Sequence, residues 1–207
     1  MKACDIFKYN SIEEYIDCGM REYADRMCEV IRLGLVRDAS FYEWLIYNFN
    51  EIMDKDSETL EMMFSKVANI KSFYEAKDPE GIKDGRALEY GIHFAKALSE
   101  CLDFDLSIGE YEGLGMIAES YIAYKREMLS MDEFYEIRDM FVPFGLTISL
   151  DKFDVDKVVE YLYSDNDFLN VLDDMPLLKK IGKVSFVSGV SKDEIRDAIN
   201  SLIVEWD

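Results

Sequence analysis

A serine followed three residues later by a glutamate recurs along this chain, at Ser11/Glu14, Ser40/Glu43, Ser107/Glu110, Ser130/Glu133 and Ser191/Glu194. In that spacing the hydroxyl and the carboxylate satisfy amides that a first helical turn leaves open, so each pair reads as a helix start. Behind the starts, apolar residues fall three and four apart: Phe41, Leu45 and Phe49; Leu60, Phe64 and Val67; Tyr111, Leu114, Ala118 and Ile122; Ile195, Ala198 and Leu202. That period belongs to helices with one buried face.

Turn chemistry interrupts the pattern at Gly34, at Asp78-Pro79-Glu80-Gly81, at Asp103 to Asp105 and at Pro143-Phe144-Gly145, which predicts seven or eight helices. Two short apolar or β-branched runs, Phe168 to Leu172 and Lys183 to Val187, read as extended and are separated by a turn region from Pro176 to Gly182. The expected fold is mainly α, with a two-stranded β ribbon near the C-terminus. No Pro/Gly/Ser-rich linker divides the 207 residues, so a single domain over 1–207 is expected.

The 43 acidic side chains outnumber the 23 basic ones and give a formal net charge of −20. A surface of that sign repels phosphate backbones and anionic headgroups, so neither nucleic acid nor membrane is an expected partner. The acids are interleaved with apolar residues, as on solvated helix faces. Cys4, Cys18, Cys28 and Cys101 show no Cys-x-x-Cys spacing, the first ten residues lack an apolar signal core, and no run approaches the roughly 18 apolar residues of a membrane span. A reducing cytoplasm is the expected location. The methionines Met62, Met63, Met116, Met128, Met131 and Met140 and the aromatics Phe41, Tyr42, Trp44, Tyr47 and Phe49 read as core or interface filling, with Trp44 and Phe49 as candidates to face a partner. Gly113 and Gly115, inside a helix, suggest close helix packing.

Three segments taken in order carry a resemblance: Cys28-Glu-Val-Ile-Arg-Leu-Gly-Leu-Val, Leu88-Glu-Tyr-Gly-Ile-His-Phe-Ala-Lys-Ala-Leu, and Ile108-Gly-Glu-Tyr-Glu-Gly-Leu-Gly-Met. With the tail Lys179-Lys-Ile-Gly-Lys-Val-Ser-Phe-Val and Ser191-Lys-Asp-Glu-Ile, the chain from about Tyr15 onward resembles the C-terminal domain of dehydroquinate synthase and related sugar-phosphate cyclases. The resemblance implies a helical domain that, in the full enzyme, faces a dinucleotide-binding domain across a cleft. It also implies a zinc ion held by a glutamate and two histidines, which polarises the substrate hydroxyl oxidised by NAD.

This sequence departs from that pattern. Glu29 matches the glutamate, but Ile92 and Ile108 stand at the histidine positions, and an isoleucine has no lone pair to give a metal. His93, the only histidine, is one residue from Ile92, a rotation of about 100° on a helix, and is expected to point off the metal face. No Gly-rich phosphate loop follows a strand anywhere, so the chain as it stands is expected to hold neither zinc nor NAD. Cofactors expected: none.

Among the anion-binding positions, Arg86 matches a family arginine, Arg32 stands where a substrate-binding lysine is usual, and Lys71 matches another lysine. Glu89 replaces a substrate-binding asparagine, Lys96 replaces a second histidine, and Ser164-Asp165-Asn166-Asp167 stands where a lysine pair would reach phosphate. An arginine fork suits phosphate or carboxylate, but the new acids repel a sugar phosphate. Pairing of Glu89 with Lys96 and of Glu29 with Arg32 would fill a collapsed site without leaving charge unbalanced, and this reading is favoured over a retained pocket.

The function expected is that of a degenerate, non-catalytic relative acting through a protein partner or a second copy of itself. Two alternatives stand beside it. One is half of a split cyclase working with a separate NAD-binding subunit, Glu29 serving as acid or base and Arg32, Lys71 and Arg86 holding the anion. The other is a binding protein for a small phosphorylated or carboxylated metabolite, with Arg32, Lys71, Arg86, Glu89 and Lys96 as ligand contacts.

Overall fold

The computed structural model describes residues 12–204. Its helices are α1 (Ile12–Asp17), α2 (Met20–Arg37), α3 (Ala39–Tyr47), α4 (Phe49–Met53), α5 (Ser57–Lys77), α6 (Ile92–Cys101), α7 (Ile108–Lys125), α8 (Met131–Asp139), α9 (Val155–Ser164), α10 (Asn166–Leu172) and α11 (Lys192–Asn200). Short 3-10 helices occupy Asp84–Glu89 and Val142–Phe144. No described helix is long and apolar enough to cross a membrane.

Two helices form the middle of the body. From Val30 to Val36 every residue of α2 is buried, and α7 buries residues on all sides between Gly109 and Ala123, so neither has the one-sided pattern of a surface helix. Helices α3, α5, α6, α8 and α11 pack on one or the other of this pair, and α6 lies along α7. The contact is made possible by Gly115, where an added Cβ would lie 2.0 Å from the Gly91 carbonyl oxygen. The expectation of close packing at the α7 glycines is met most clearly there. Gly91 itself, at φ +84°, turns the chain into α6.

Capping boxes close the N-termini of α7, α8 and α11 at Ser107/Glu110, Ser130/Glu133 and Ser191/Glu194, as the spacing predicts. Ser11 lies outside the described residues. Ser40 is not a cap: α3 starts two residues earlier, where the Asp38 side chain accepts from the Phe41 amide. Gly34 is not a break either, because α2 runs through it to Arg37. A Cβ there would sit 3.1 Å from the Tyr42 Cα, so this glycine serves a close crossing of α3. Helices are more numerous than the predicted seven or eight because short ones such as α4 and α10 carry too little periodicity to be seen in sequence.

The ribbon is present, with a corrected first strand. β1 (Met175–Lys180) pairs antiparallel with β2 (Lys183–Val187), Met175 opposite Val187 and Leu178 opposite Val184. Phe168 to Leu172 is helical, within α10: Asp165 caps it by accepting from the Asp167 amide, and Phe168 and Val171 bury one side. Pro176, read as turn, lies in β1, where its missing N–H is tolerated on the open edge of a two-stranded sheet. The turn itself falls at Gly182, φ +80°, whose amide donates to the Leu35 carbonyl at 2.8 Å and so docks the ribbon on α2.

Candidate functional site

The tight Gly91–Gly115 contact sets the register of α6 on α7 and thereby the positions of Ile92 and Ile108. Both line a cavity of about 230 Å³ together with Glu112. Glu29, from α2, lines a neighbouring cavity of about 240 Å³ that also contains Ile108 and Glu112. The three positions that the family resemblance ties to zinc are thus gathered around Glu112. Their chemistry does not fit the ion: one carboxylate faces two hydrocarbon side chains, whereas zinc takes three or more nitrogen, sulfur or carboxylate ligands. Ile108 is 76% exposed, an apolar side chain at the mouth of the site.

His93 does not replace Ile92. It shares with Ile92 a separate cleft of about 760 Å³, its Nε2 lies 3.7 Å from Glu89 Oε2 one helical turn back, and its ring is 6.2 Å from that of Phe168. Among the described residues no group of three or more His, Cys, Asp or Glu side chains is arranged to hold a metal ion.

Behind the cavity wall lies Arg32, fully buried. Its Nη2 donates to Glu112 Oε2 across the α2–α7 contact. Burial opposes the charge, but Glu112, then Cys28 and Glu29, outweigh it and hold the guanidinium above its ordinary pKa. The expected Glu29–Arg32 pairing is therefore corrected in part: the hydrogen bond goes to Glu112, and Glu29 acts through its field. Seven residues on, Glu119 is 2% exposed, and burial raises its carboxyl well above the usual range despite a bond from the Gly91 amide and the nearness of Arg32. Neither Glu112 nor Glu119 was singled out in the sequence. The available signal was their spacing of four and eleven residues from Ile108, which puts them on its face of the helix.

The larger cleft collects Arg86, Glu89, Ile92, His93 and Lys96 with Glu80, Asp167 and Asn170. Arg86 is positioned by the 78–86 loop, which Asp78 closes by accepting from the Ile82, Lys83 and Gly85 amides. Its guanidinium is engaged: Nη1 donates to Asp174 Oδ2 at 2.9 Å and Nη2 to the Asp174 carbonyl at 2.5 Å. Lys96 pairs with Asp165 at 2.7 Å and not with Glu89, which lies 3.7 Å from His93. Asp165 can reach Lys96 because it caps α10 beside the end of α9. Lys71 is not in this cleft; it borders an apolar pocket of about 120 Å³ with Tyr15, Val30, Met63 and Phe64. Each cation in the cleft thus has an acid of its own, and Glu80, Glu89 and Asp167 add negative charge around them. Such a lining disfavours an anion.

The family described as 3-dehydroquinate synthase C-terminal matches residues 26–168. A 3-dehydroquinate synthase of Acetivibrio thermocellus is 26% identical over 197 residues, 95% of this chain and 55% of that protein. One from Francisella tularensis is 32% identical over 142 residues, 68% of this chain and 39% of that protein. The chain spans about half the length or less of these relatives. Among solved structures, 2-epi-5-epi-valiolone synthase from Streptomyces hygroscopicus, with NAD+ and Zn2+ bound, superposes with a TM-score of 0.80 at 18% identity, over 93% of this chain and 54% of that one. A 2-deoxy-scyllo-inosose synthase complexed with carbaglucose-6-phosphate, NAD+ and Co2+ gives 0.68 at 19% identity, over 90% and 54%. The fold is that of the sugar-phosphate cyclases' helical half. With its three motif segments seated around one site and the family pattern covering most of its length, the chain belongs to the 3-dehydroquinate synthase C-terminal family.

Proposed function

We propose that this protein is a non-catalytic member of its family that acts through a protein partner or a second copy of itself. The observation that carries the reading is that Ile92 and Ile108 stand at the metal-binding positions and line a cavity with Glu112, which is itself closed in an ion pair with Arg32. A hydroxyl group bound there meets no Lewis acid among these side chains. The engaged state of Arg86 and Lys96 argues in the same direction, since a phosphorylated or carboxylated ligand would have to displace Asp174 and Asp165. Exposed Ile82 and Ile108, 65% and 76% accessible, offer apolar contact for another chain. The absence of Cys-x-x-Cys pairs and the acidic surface fit a protein of the cytoplasm.

Metal analysis of the purified protein, together with light scattering after size exclusion, tests this. Expected are far less than one zinc per chain and either an assembly larger than a monomer or a co-purifying protein. One tightly held zinc per chain, or a strict monomer with no companion, would overturn it.

The 760 Å³ cleft favours one other reading, half of a split cyclase completed by a separate NAD-binding subunit, with Glu29 as acid or base. Reconstitution with such a subunit would then give a melting temperature that rises with NAD and metal; no response removes this reading.

A further inference from the structure

Three cavities adjoin through shared walls. The cleft of about 760 Å³ and the cavity of about 230 Å³ have Ile92 and Lys96 in common, and the latter has Ile108 and Glu112 in common with the cavity of about 240 Å³. Together they make one furrow, with Ile82, 65% exposed, in the large cleft and Ile108, 76% exposed, in the two smaller cavities. Branched apolar side chains held in water favour whatever covers them. A small molecule confined to one cavity covers one isoleucine, whereas a polypeptide segment laid along the furrow covers both. Charge selects the segment. In the large cleft Arg86 and Lys96 are neutralised by Asp174 and Asp165, neither of which lines it, so Glu80, Glu89 and Asp167 remain. In the farthest cavity Glu22 and Glu112 hold Arg26 and Arg32, and Asp25 adds a further carboxylate. The furrow is negative at both ends and attracts lysine or arginine. A second copy of this chain fits it poorly, being at −20 itself. The hairpin that carries its exposed Lys179, Lys180 and Lys183 has its turn seated on the body: the Gly182 amide donates to the Leu35 carbonyl at 2.8 Å, and a Cβ at Gly182 would lie 2.3 Å from the Ala39 nitrogen.

We propose that this furrow is the docking groove for a different protein, which lays into it a segment carrying lysine or arginine among branched apolar residues. The apolar side chains of the segment cover Ile82 and Ile108, and its cations meet Glu80, Glu89 and Asp167. The inference rests on the partner-directed reading of the function and adds the face that the partner uses and the chemistry it brings.

The test pans the full chain against displayed random peptides of about 12 residues, which reach roughly 40 Å when extended, and measures the selected peptides by fluorescence polarisation. Expected are sequences enriched in Lys or Arg and in Leu, Ile or Val. Ile82→Asp and Ile108→Asp are each expected to weaken one and the same peptide about tenfold. Both positions are exposed, so the variants are expected to melt as wild type does; should either fail to fold, the serine variant at that position takes its place. Glu89→Gln with Asp167→Asn is expected to weaken the peptide about fivefold, and Glu58→Gln with Glu61→Gln, an equal change of charge at exposed positions of α5, less than about twofold. No selected peptide, acidic or purely apolar selections, an effect confined to one isoleucine, or equal losses from the two pairs of acids overturns the inference and leaves the partner-directed reading standing. So does a wild-type dimer that either isoleucine variant makes monomeric, which would give the furrow to a second copy. One tightly held zinc per chain overturns both.

Discussion

The Gly91 carbonyl oxygen occupies the place where position 115 would carry a side chain, 2.0 Å from an ideal Cβ. The clash would be with backbone, which cannot rotate away, so Gly115→Ala must push α6 off α7 and displace Ile92 with it. A loss of about 3 kcal/mol or more is expected in urea unfolding. Two residues earlier the outcome reverses. A Cβ at Gly113 meets nothing nearer than 3.5 Å, at the Phe141 ring, so Gly113→Ala is expected to stabilise the helix by roughly 0.5–1 kcal/mol. Equal losses at the two positions would show that the α6–α7 contact is looser than described.

Arg126 grips Glu194 with Nε at 2.5 Å and Nη2 at 3.0 Å, and the same nitrogen reaches the Gly189 carbonyl at 2.7 Å. The bond from Arg126, against some opposing burial, holds the Glu194 carboxyl at about 2, below its ordinary 4.5. A carboxylate whose pKa is depressed by folding contributes stability above the unfolded value and loses it as pH falls through the folded one. Wild type is therefore expected to exceed Glu194→Gln by about 1–2 kcal/mol at neutral pH, after solvent screening of a pair that is only partly buried. The gap should narrow from about pH 4.5 downward and close near pH 2. Melting curves of both proteins across that range are the measurement, and a constant gap counts against the pairing.

What could be read from the sequence was local. Ser107, Ser130 and Ser191 carry their partners three residues away, and the structure has all three capping boxes. Asp38 is the α3 cap, but Ser40 offers the same chemistry two positions later and masks it in the sequence. Phe168 to Leu172 is a short apolar run, and in such a run a half-buried helix and a buried strand look alike; the cap at Asp165 decides it. β1 was hidden because Pro176 is a turn former by composition and a strand residue only by virtue of pairing with Phe186. In the site, the motif positions Glu29, Ile92 and Ile108 were legible and do converge. Their ionic partners were not: Arg32 meets Glu112 80 residues away, Arg86 meets Asp174 88 away, and Lys96 meets Asp165 69 away. No periodicity reports such pairs, which are chosen by the packing of α2, α6, α7 and α10.

Glu119 is buried on α7, and burial keeps it protonated well above the ordinary glutamate range. Here folding raises the pKa, so the sign is opposite to that of Glu194. Once the pH exceeds the unfolded value of about 4.5, the unfolded chain gains by ionising and the folded chain does not, and stability declines as pH rises toward the folded value. Glu119→Gln keeps the shape and removes the titration. The variant is expected to match wild type near pH 4 and to be more stable by on the order of 1 kcal/mol at neutral pH. Denaturant midpoints at the two pH values check this, and a variant less stable at neutral pH would mean that Glu119 is ionised beside Arg32.

Asp165 and Asp174 hold the two cations, Lys96 and Arg86, that line the large cleft, leaving a lining in which Glu80, Glu89 and Asp167 set the sign of the field. Neutralising both, by Asp165→Asn with Asp174→Asn, keeps the geometry of acceptors while releasing two cations into the cleft. Inorganic phosphate is expected to bind the double variant about tenfold more tightly than wild type at low ionic strength, a change of about 1.4 kcal/mol built from two partly exposed pairs. The gain should shrink on adding salt, because both side chains lie within reach of solvent ions. Calorimetric titration at two ionic strengths measures it. If wild type already binds phosphate as well as the double variant does, the two aspartates do not close the cleft to anions, and the case for a ligand-free, partner-directed role loses its electrostatic support.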